Sequence, residues 1–233
     1  MRILLTGSNG FIGSHIKKAL KGRYELLTPS RSRLNEVIKK GEFDFIIHCA
    51  WAGKYKKTSI LELIQNLTLM NKLLGTEKPM IYFGSGIVYY KQTDFYSLGK
   101  RAFHNMKNPK TLNLTLFVVY GKGEDPDRII PKTIRQSQIT IDQDQFFDAI
   151  HISDVVSAVR YFIENKWNRT QYDLVAPPAH LLSDIPVILK KNFKVNGIEL
   201  KPSYIGNASD IIMNTPLTFL TLEEGLKHYE QIS

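Results

Sequence analysis

A serine, a tyrosine and a lysine are spaced so that together they could reduce a ketone. Tyr96 and Lys100 stand four residues apart, and on a helix that spacing places the phenol and the ammonium on one face, one turn apart. A free phenol has a pKa of about 10, which a nearby ammonium lowers because it favours the phenolate. Ser85 follows the apolar run Met80 to Phe83, a predicted strand, so its hydroxyl could orient a carbonyl oxygen. The predicted chemistry is hydride transfer to that carbonyl, with Tyr96 as the proton donor.

A glycine motif near the start of the chain favours this interpretation over a chance pairing of a surface tyrosine with a lysine. Gly7, Gly10 and Gly13 follow the apolar run Ile3 to Leu5, and apolar residues then recur at helical spacing. A strand, a glycine turn and a helix cradle phosphates, with the first glycine allowing the turn, the second the approach of a pyrophosphate and the third close packing. The helix N-terminus adds free N–H groups and a positive dipole. The predicted cofactor contacts here are Gly7, Ser8, Asn9, Gly10, Phe11, Ile12 and Gly13. The alternative is a structural turn with no ligand.

The segment after the second predicted strand favours NADP(H) over NAD(H). An NAD site usually has an acidic residue about twenty residues past the glycines, yet no Asp or Glu lies between Glu25 and Glu36. Ser30, Arg31 and Arg33 occupy this place instead, and an arginine can contact a 2′-phosphate through two hydrogen bonds. The alternative is that these arginines belong to a solvated loop.

The turn after the third predicted strand is expected to lie against the same cofactor. Ala50, Trp51 and Ala52 follow the strand Asp44 to Cys49, and the turn is rich in small residues. Lys100 could also donate a hydrogen bond to the nicotinamide ribose.

Strands alternate with helices along the chain, which predicts an α/β fold with a mainly parallel sheet covered on both faces. The predicted strands after the first are Tyr24 to Leu27, Asp44 to Cys49, Met80 to Phe83 and Asn113 to Val119, and the predicted helices include Leu34 to Lys40, Ile60 to Leu74 and Ile150 to Asn165. A last helix is expected near Thr221, because Glu224 three residues later fits a capping box. In open α/β sheets the ligand lies at the carboxyl ends of the strands, where the glycine turn and Ser85 are expected.

Composition and charge limit the other functions that the chain could have. The chain has 233 residues, which suits one domain better than two, and its formal net charge of +9 is scattered in lysine pairs. That charge fits the steering of small polyanions, while nucleic-acid binding and a merely solvated surface are the alternatives. Cys49 is the only cysteine, and neither a second cysteine nor a spaced histidine pair supports a metal site with His48. Without a leader or a membrane-spanning apolar run, a cytoplasmic location is expected.

Nearly from end to end, the motifs resemble those of the extended short-chain dehydrogenase/reductase family, which comprises nucleotide-sugar epimerases, dehydratases and reductases. The stretches that carry the resemblance are TGSNGFIG at Thr6 to Gly13, DFIIHCAWA at Asp44 to Ala52, Asn66, GSGIVY at Gly84 to Tyr89, YSLGK at Tyr96 to Lys100, FVVYG at Phe117 to Gly121, FDAIHISD at Phe147 to Asp154 and TLEEGL at Thr221 to Leu226. The resemblance implies a Rossmann domain over residues 1–165 and a reduced substrate-binding region over residues 166–233. It also implies that Ser85, Tyr96 and Lys100 are catalytic, that the substrate is a nucleotide sugar and that the protein is a homodimer.

Within this family the sequence favours a reductase. A 4,6-dehydratase of the family carries an Asp-Glu pair just after the catalytic Ser or Thr, where this chain has Gly86 and Ile87. The segment around Arg31 resembles the NADP-binding strand of the reductases that act on 4-keto-6-deoxysugars. The predicted function is NADP-dependent reduction of a nucleotide-linked 4-keto-6-deoxyhexose. The alternatives are an NAD-dependent 4-epimerase that retains its cofactor and a non-catalytic dinucleotide-binding protein of the same fold.

Two positions depart from the substrate contacts that the resemblance implies. Val118 stands where the family often has an asparagine that contacts substrate, and Phe147 stands where many members have an arginine for the diphosphate. Arg128 and Lys132 are the candidate replacements for that cation. The predicted substrate contacts are Gly86, Tyr96, Val118, Arg128 and Lys132.

Overall fold

A computed structural model describes residues 1–55, 57–90, 92–106, 108–199 and 205–230. These residues form two compact units: Met1–Thr115 with Val159–Tyr172, and Leu116–Ala158 with the described part of Asp173–Ser233. The boundaries between these two compact units therefore differ from the predicted boundary at residue 165. The assignment of residues 1–165 to cofactor binding and of residues 166–233 to substrate binding stays a prediction.

The described residues form short strands and helices that alternate through the first half of the chain. The strands are β1 (Arg2–Thr6), β2 (Glu25–Leu27), β3 (Phe45–His48), β4 (Met80–Ser85), β5 (Thr111–Leu116), β6 (Val118–Tyr120), β7 (Gln138–Ile141), β8 (Asp144–Phe147), β9 (Ala149–His151), β10 (Gln171–Leu174), β11 (His180–Leu181), β12 (Asn192–Val195) and β13 (Ile198–Glu199). The helices are α1 (Phe11–Leu20), α2 (Arg31–Lys40), α3 (Ile60–Leu74), α4 (Phe95–His104), α5 (Ile129–Arg135), α6 (Ile152–Glu164), α7 (Asp184–Ile188), α8 (Ser209–Asn214) and α9 (Leu222–Glu230), and a 3-10 turn covers Gly86–Tyr89.

The largest sheet has the strand order β10–β5–β4–β3–β1–β2. β1 runs parallel to both β2 and β3, and β3 runs parallel to β4. After β1 the chain adds β2 on one side and then returns to add β3 on the other, so the topological switch point lies between β1 and β3. This is the doubly wound, Rossmann-type arrangement, and the predicted α/β fold class is confirmed.

The core of the first unit forms where the apolar strand residues meet the flanking helices. Leu4 and Ile46 from adjacent strands are fully buried and belong to one cluster with Met70 of α3 and Phe103 of α4. The hydroxyl of Tyr82, in the same cluster, donates to the carbonyl of Phe103 at 2.8 Å. This bond and the packing fix α4 against β4, the strand that ends at the predicted catalytic serine.

Several element boundaries differ from the sequence-based expectation. The helix expected to start at Leu34 already starts at Arg31, and the strand expected over residues 113–119 is divided into β5 and β6. The C-terminal capping box is confirmed, because the Thr221 N–H donates to the Glu224 carboxylate at 2.8 Å and the Glu224 N–H donates back to the Thr221 hydroxyl at 3.3 Å.

The second unit is built from small sheets. β6 pairs with β9, β7 with β12, and β8 with both β11 and β13. A cluster of buried residues that includes Tyr120, Ile130, Ile185 and Leu226 joins α5, α7 and α9 to these strands. In the described part of the chain, no helix combines the length and apolar character needed to span a bilayer.

Candidate active site

The glycine turn after β1 has the tight packing that its spacing predicts. Gly7 has a φ of +68°, which is costly for residues with a side chain, and a Cβ there would lie 2.6 Å from the nitrogen of Ala50. A Cβ at Gly13 would lie 2.1 Å from the carbonyl oxygen of Gly7. Side chains are thus excluded at both positions by neighbouring backbone, at the topological switch point of the sheet.

The second glycine of the motif has a different environment. Gly10 is the N-cap of α1, and no side chain caps the helix there. A Cβ at Gly10 would meet only the Gly7 carbonyl oxygen, at 3.4 Å, which is ordinary contact. Open space therefore lies beside N–H groups that have no intrahelical acceptor. A dinucleotide pyrophosphate fits these donors and this space, because helix N-termini bind phosphate.

The other predicted contacts of the motif lie around the same turn. Ser8 is buried and Asn9 is exposed, while Phe11 and Ile12 are half-buried in the first turn of α1. The structure thus gathers the predicted contacts of this motif at one end of β1.

The turn after β3 is held in place by two polar side chains. Oδ1 of Asn66 accepts the Ala52 N–H at 2.8 Å, and Nδ2 of Asn66 donates to the Ala52 carbonyl at 3.0 Å. The Thr6 hydroxyl accepts the N–H of Ala50 at 3.3 Å and lies 2.7 Å from Nδ1 of His48. These bonds place the turn next to Gly7.

His48 and Cys49 are neutral packing residues at the end of β3. Burial, helped by the nearby Lys100 charge, lowers the pKa of His48 to about 3, and burial raises the pKa of the Cys49 thiol well above its usual range. Within the described ranges, no group of three or more His, Cys, Asp or Glu side chains could hold a metal ion.

Tyr96 and Lys100 lie on α4, whose start is fixed by a cap. The Asp94 carboxylate accepts the Ser97 N–H at 3.2 Å and the Ser97 hydroxyl at 2.6 Å. Partial burial raises the pKa of Asp94, but the hydrogen bonds together outweigh it, so that the pKa lies below its usual value. Tyr96 therefore stands in a fixed first turn, and Lys100 follows one turn later.

Lys100 is a buried cation next to the Tyr96 ring. Nζ of Lys100 donates to the carbonyl of Phe83 at 3.0 Å and lies 5.8 Å from the Tyr96 ring centroid. Burial lowers the pKa of Lys100 to about 7. In the part of the chain that the structure describes, no carboxylate pairs with it. The predicted one-turn relationship of the phenol and the ammonium is present.

Ser85 ends β4, two residues beyond the carbonyl that Lys100 binds. Its Oγ accepts the N–H of Ile87 at 3.4 Å, which starts the 3-10 turn. Gly86, a predicted substrate contact, is buried in that turn. Ser85, Tyr96 and Lys100 all belong to the first compact unit.

Ser30 and Arg31 lie at the start of α2 rather than in a loop. Ser30 is the N-cap, its hydroxyl lies 3.0 Å from the Ser32 hydroxyl, and Arg31 is the first helical residue. The charge of Arg31 contributes to a lowered pKa of Glu62, after the hydrogen bonds from Ser59. A Cβ on Gly53 would lie 3.0 Å from that Glu62 carboxylate. The charge of Arg31 therefore acts on a carboxylate that lies beside Gly53.

The remaining predicted substrate residues belong to the second unit. Nη1 of Arg128 donates to the Val119 carbonyl at 3.1 Å, and Nε lies 3.7 Å from the Glu124 carboxylate. Lys132 is exposed and Val118 is half-buried. Phe147 stands where the family resemblance implied an arginine, and its ring is buried in the same core cluster as Tyr120.

Glu124 was not predicted as a site residue. It is buried, and burial raises the pKa of its carboxyl to about 7 although Arg128 opposes this. The spacing of four residues between Glu124 and Arg128 is the only sequence signal for this pair, and the same spacing occurs on many exposed surfaces.

The fold and the glycine turn at its switch point define a Rossmann-type protein, and comparison with known families places it more narrowly. The sequence profile of the NAD dependent epimerase/dehydratase family matches residues 3–174, and the chain belongs to this family. The resemblance noted in the sequence, and the prediction of an NAD(P)-dependent enzyme of this kind, are confirmed at the level of the family. No curated protein matches the sequence.

Solved structures with the same fold cover the whole chain. The dTDP-4-dehydrorhamnose reductase of Bacillus anthracis in complex with NADP is 16% identical, with a TM-score of 0.78 over 100% of this chain and 99% of that one. The GDP-mannoheptose C4 reductase of Campylobacter jejuni with NADP bound is 14% identical, with a TM-score of 0.75 over 99% and 97%. The ADP-L-glycero-D-manno-heptose-6-epimerase of Helicobacter pylori is 19% identical, with a TM-score of 0.76 over 99% and 95%. At these identities the likeness establishes the fold.

Proposed function

We propose that this protein is an NADP(H)-dependent reductase of a nucleotide-linked keto sugar, of the 4-keto-6-deoxyhexose type. Membership of the epimerase/dehydratase family supports the nucleotide-sugar class of substrate. The proposal also draws on the similar structures, since those from Bacillus anthracis and Campylobacter jejuni are reductases with NADP.

The observation that carries the proposal is the buried Lys100. Removing an ammonium from water without a carboxylate partner costs stability, as its pKa of about 7 shows. The burial of this lysine beside the Tyr96 ring, 5.8 Å from its centroid, supports a role for it in catalysis. Active sites are where such shifts are concentrated.

Each residue of the trio has a distinct role in the proposed reaction. NADPH, when bound, supplies the hydride to the carbonyl carbon of the sugar. Tyr96 donates a proton to the carbonyl oxygen, and Ser85 donates a hydrogen bond that orients it. The ammonium of Lys100 stabilises the phenolate that remains on Tyr96.

The cofactor would lie across the switch point of the sheet. The N–H groups at the start of α1, next to Gly10, would hold the pyrophosphate, and the turn Ala50 to Ala52 would lie along the dinucleotide. Arg31, at the start of α2, would pair with the 2′-phosphate of NADP(H) and give it preference over NAD(H).

Arg128 and Lys132 are the candidate cations for the substrate diphosphate. Arg128 is held by a carbonyl and a carboxylate, so its guanidinium is oriented, and Lys132 adds an exposed cation. Gly86 and Ile87 offer no carboxylate after Ser85, so elimination of water is disfavoured and reduction is favoured.

The experiment that tests this proposal compares the two cofactors. Absorbance of the purified protein first shows whether it retains a dinucleotide, and NADPH and NADH are then titrated by calorimetry. We expect that the purified protein retains no dinucleotide and binds NADPH more tightly than NADH. We also expect it to consume NADPH when a nucleotide-linked 4-keto sugar is added. Retained NAD(H), with conversion of a sugar nucleotide in the absence of added reductant, would instead identify a 4-epimerase.

A further inference from the structure

The indole of Trp51 packs against both members of the proposed catalytic pair. Nζ of Lys100 lies 4.2 Å from the indole ring centroid. The rings of Trp51 and Tyr96 have centroids 5.4 Å apart and planes at 72°, and Phe103 contacts the indole edge-on at 5.4 Å. The side chain of Trp51, which belongs to the turn predicted to lie against the cofactor, therefore packs against the pair.

Gly99 provides the space for this contact. A Cβ at Gly99 would lie 2.8 Å from the Trp51 ring and 2.8 Å from a methyl group of Leu63. Glycine is one of the least favourable residues in a helix interior, yet it stands in the middle of α4, between the two residues of the pair. Gly99 is thus a poor helix former at a position where any side chain would clash with the indole of Trp51.

The surroundings of the Lys100 ammonium are otherwise neutral. From β4 it meets the carbonyl of Phe83. At the end of β3 it faces His48 and the Cys49 thiol, whose pKa values are shifted by burial towards the uncharged forms. On its own helix it faces Tyr96. Among the described residues no carboxylate is near it, so the groups that favour its charge are the Phe83 carbonyl and the indole face.

We propose that Trp51 is a positioning residue that keeps Lys100 protonated and fixed beside Tyr96 through the face of its indole. This inference rests on the proposed function, because it gives Trp51 a part in the same proton transfer. The negative face of an indole attracts an ammonium, and the attraction is strongest where water is excluded. Without it, we expect the pKa of Lys100 to fall by about one unit.

A titration of Lys100 itself tests the inference without any turnover. In lysine-labelled protein, the chemical shifts of Cε and Nζ of Lys100 are followed against pH by NMR, and the Lys100→Met variant identifies the signal. We expect the midpoint of Trp51→Leu to lie about one unit below that of the native protein, and that of Trp51→Phe to lie between. An unchanged midpoint in a folded Trp51→Leu variant overturns the inference.

Fluorinated tryptophan provides a second test that leaves the packing nearly intact. The chain has two tryptophans, and Trp167 contacts Phe45 and the Pro109 carbonyl instead, so a Trp167→Phe background isolates Trp51. Incorporation of 5,7-difluorotryptophan weakens the ring quadrupole, and we expect the Lys100 midpoint to fall. An unchanged midpoint contradicts the inference even if Trp51→Leu does not fold.

The two proposals can fail separately. A lowered midpoint in a protein that reduces no keto sugar would support the role of Trp51 and reject the reductase. Reductase activity with an unchanged midpoint would support the reductase and reject the role of Trp51. If both hold, the limb of the pH profile that falls as Lys100 deprotonates moves to lower pH by the same amount in Trp51→Leu.

Discussion

The amide side chain of Asn66 pairs with both backbone groups of Ala52, accepting its N–H at 2.8 Å and donating to its carbonyl at 3.0 Å. Asn66 is buried on α3, and its side chain fixes the turn that follows β3 together with the Thr6 hydroxyl. The same turn contains Ala50, which packs against Gly7, and Trp51, which packs against Lys100. A single amide thus links the proposed cofactor turn to the proposed catalytic helix.

Replacing Asn66 by alanine should weaken cofactor binding. Two hydrogen bonds of about 1 kcal/mol each are lost, and the freed turn must be ordered again when the dinucleotide binds. We expect the affinity for NADPH, measured by fluorescence titration, to fall about ten-fold or more. Asn71→Ala, on the exposed side of the same helix, is the matched control and should bind as the native protein does. Equal affinities for the two variants would contradict the role given to this amide.

Alanine should disrupt folding at Gly13, whereas at Gly10 it should disrupt cofactor binding. Gly13→Ala places a Cβ 2.1 Å from the Gly7 carbonyl oxygen, so we expect a loss of several kcal/mol in urea denaturation or a failure to fold. Gly10→Ala meets the same oxygen at 3.4 Å and should fold with little change. Because its methyl group occupies the space proposed for the pyrophosphate, Gly10→Ala should bind NADPH at least ten-fold more weakly. A Gly10→Ala variant with native affinity would show that the phosphates lie elsewhere.

Replacing Arg31 should change the choice of cofactor. Charge-assisted hydrogen bonds contribute about 1.5–3 kcal/mol, so Arg31→Ala should lose about ten- to hundred-fold in affinity for NADPH and little for NADH. Arg33→Ala is the control from the same helical turn, since the charge of Arg33 acts on Glu36 of its own helix. Calorimetric titration of both variants with both cofactors measures the effect. Loss of NADH affinity to the same degree would exclude recognition of the 2′-phosphate by Arg31.

Lys100→Met should stabilise the protein without cofactor, in a pH-dependent way. Burial lowers the pKa of Lys100 from its ordinary value of 10.5 to about 7 in the folded protein, so the unfolded chain binds the proton more tightly. The resulting destabilisation is full below the folded pKa and disappears as the pH rises towards the unfolded value. We expect a gain on the order of 2–4 kcal/mol at about pH 7, and a gain less than half as large as the pH approaches about 10. A gain that is the same at both pH values would mean that the charge of Lys100 is not what destabilises the fold.

The fold and the motif positions could be predicted because each depends on local spacing. The glycines at Gly7 and Gly13, the i,i+4 relationship of Tyr96 and Lys100, and the capping box at Thr221 follow from steric or helical rules that involve few residues. Their roles in binding and catalysis remain proposals.

Contacts between residues far apart in the sequence were beyond this kind of prediction. The indole of Trp51 lies against Lys100. The presence of a glycine at position 99 of the helix is explained by the space that this indole occupies. The division of the predicted strand at Phe117 and the burial of Phe147 also depend on packing that no local pattern records. The start of α2 at Arg31 was missed because three polar residues precede its first buried residue, Leu34.

The most direct test of the proposed reductase is transfer of deuterium from NADPH deuterated at the reactive carbon. The native protein and Tyr96→Phe are incubated with dTDP-4-dehydrorhamnose or a GDP-linked 4-keto sugar, and the sugar product is analysed by mass spectrometry. We predict one deuterium per product molecule, with turnover about 10²–10⁴-fold lower in Tyr96→Phe and NADPH affinity nearly unchanged. A sugar product without deuterium, or native turnover in Tyr96→Phe, would contradict the account.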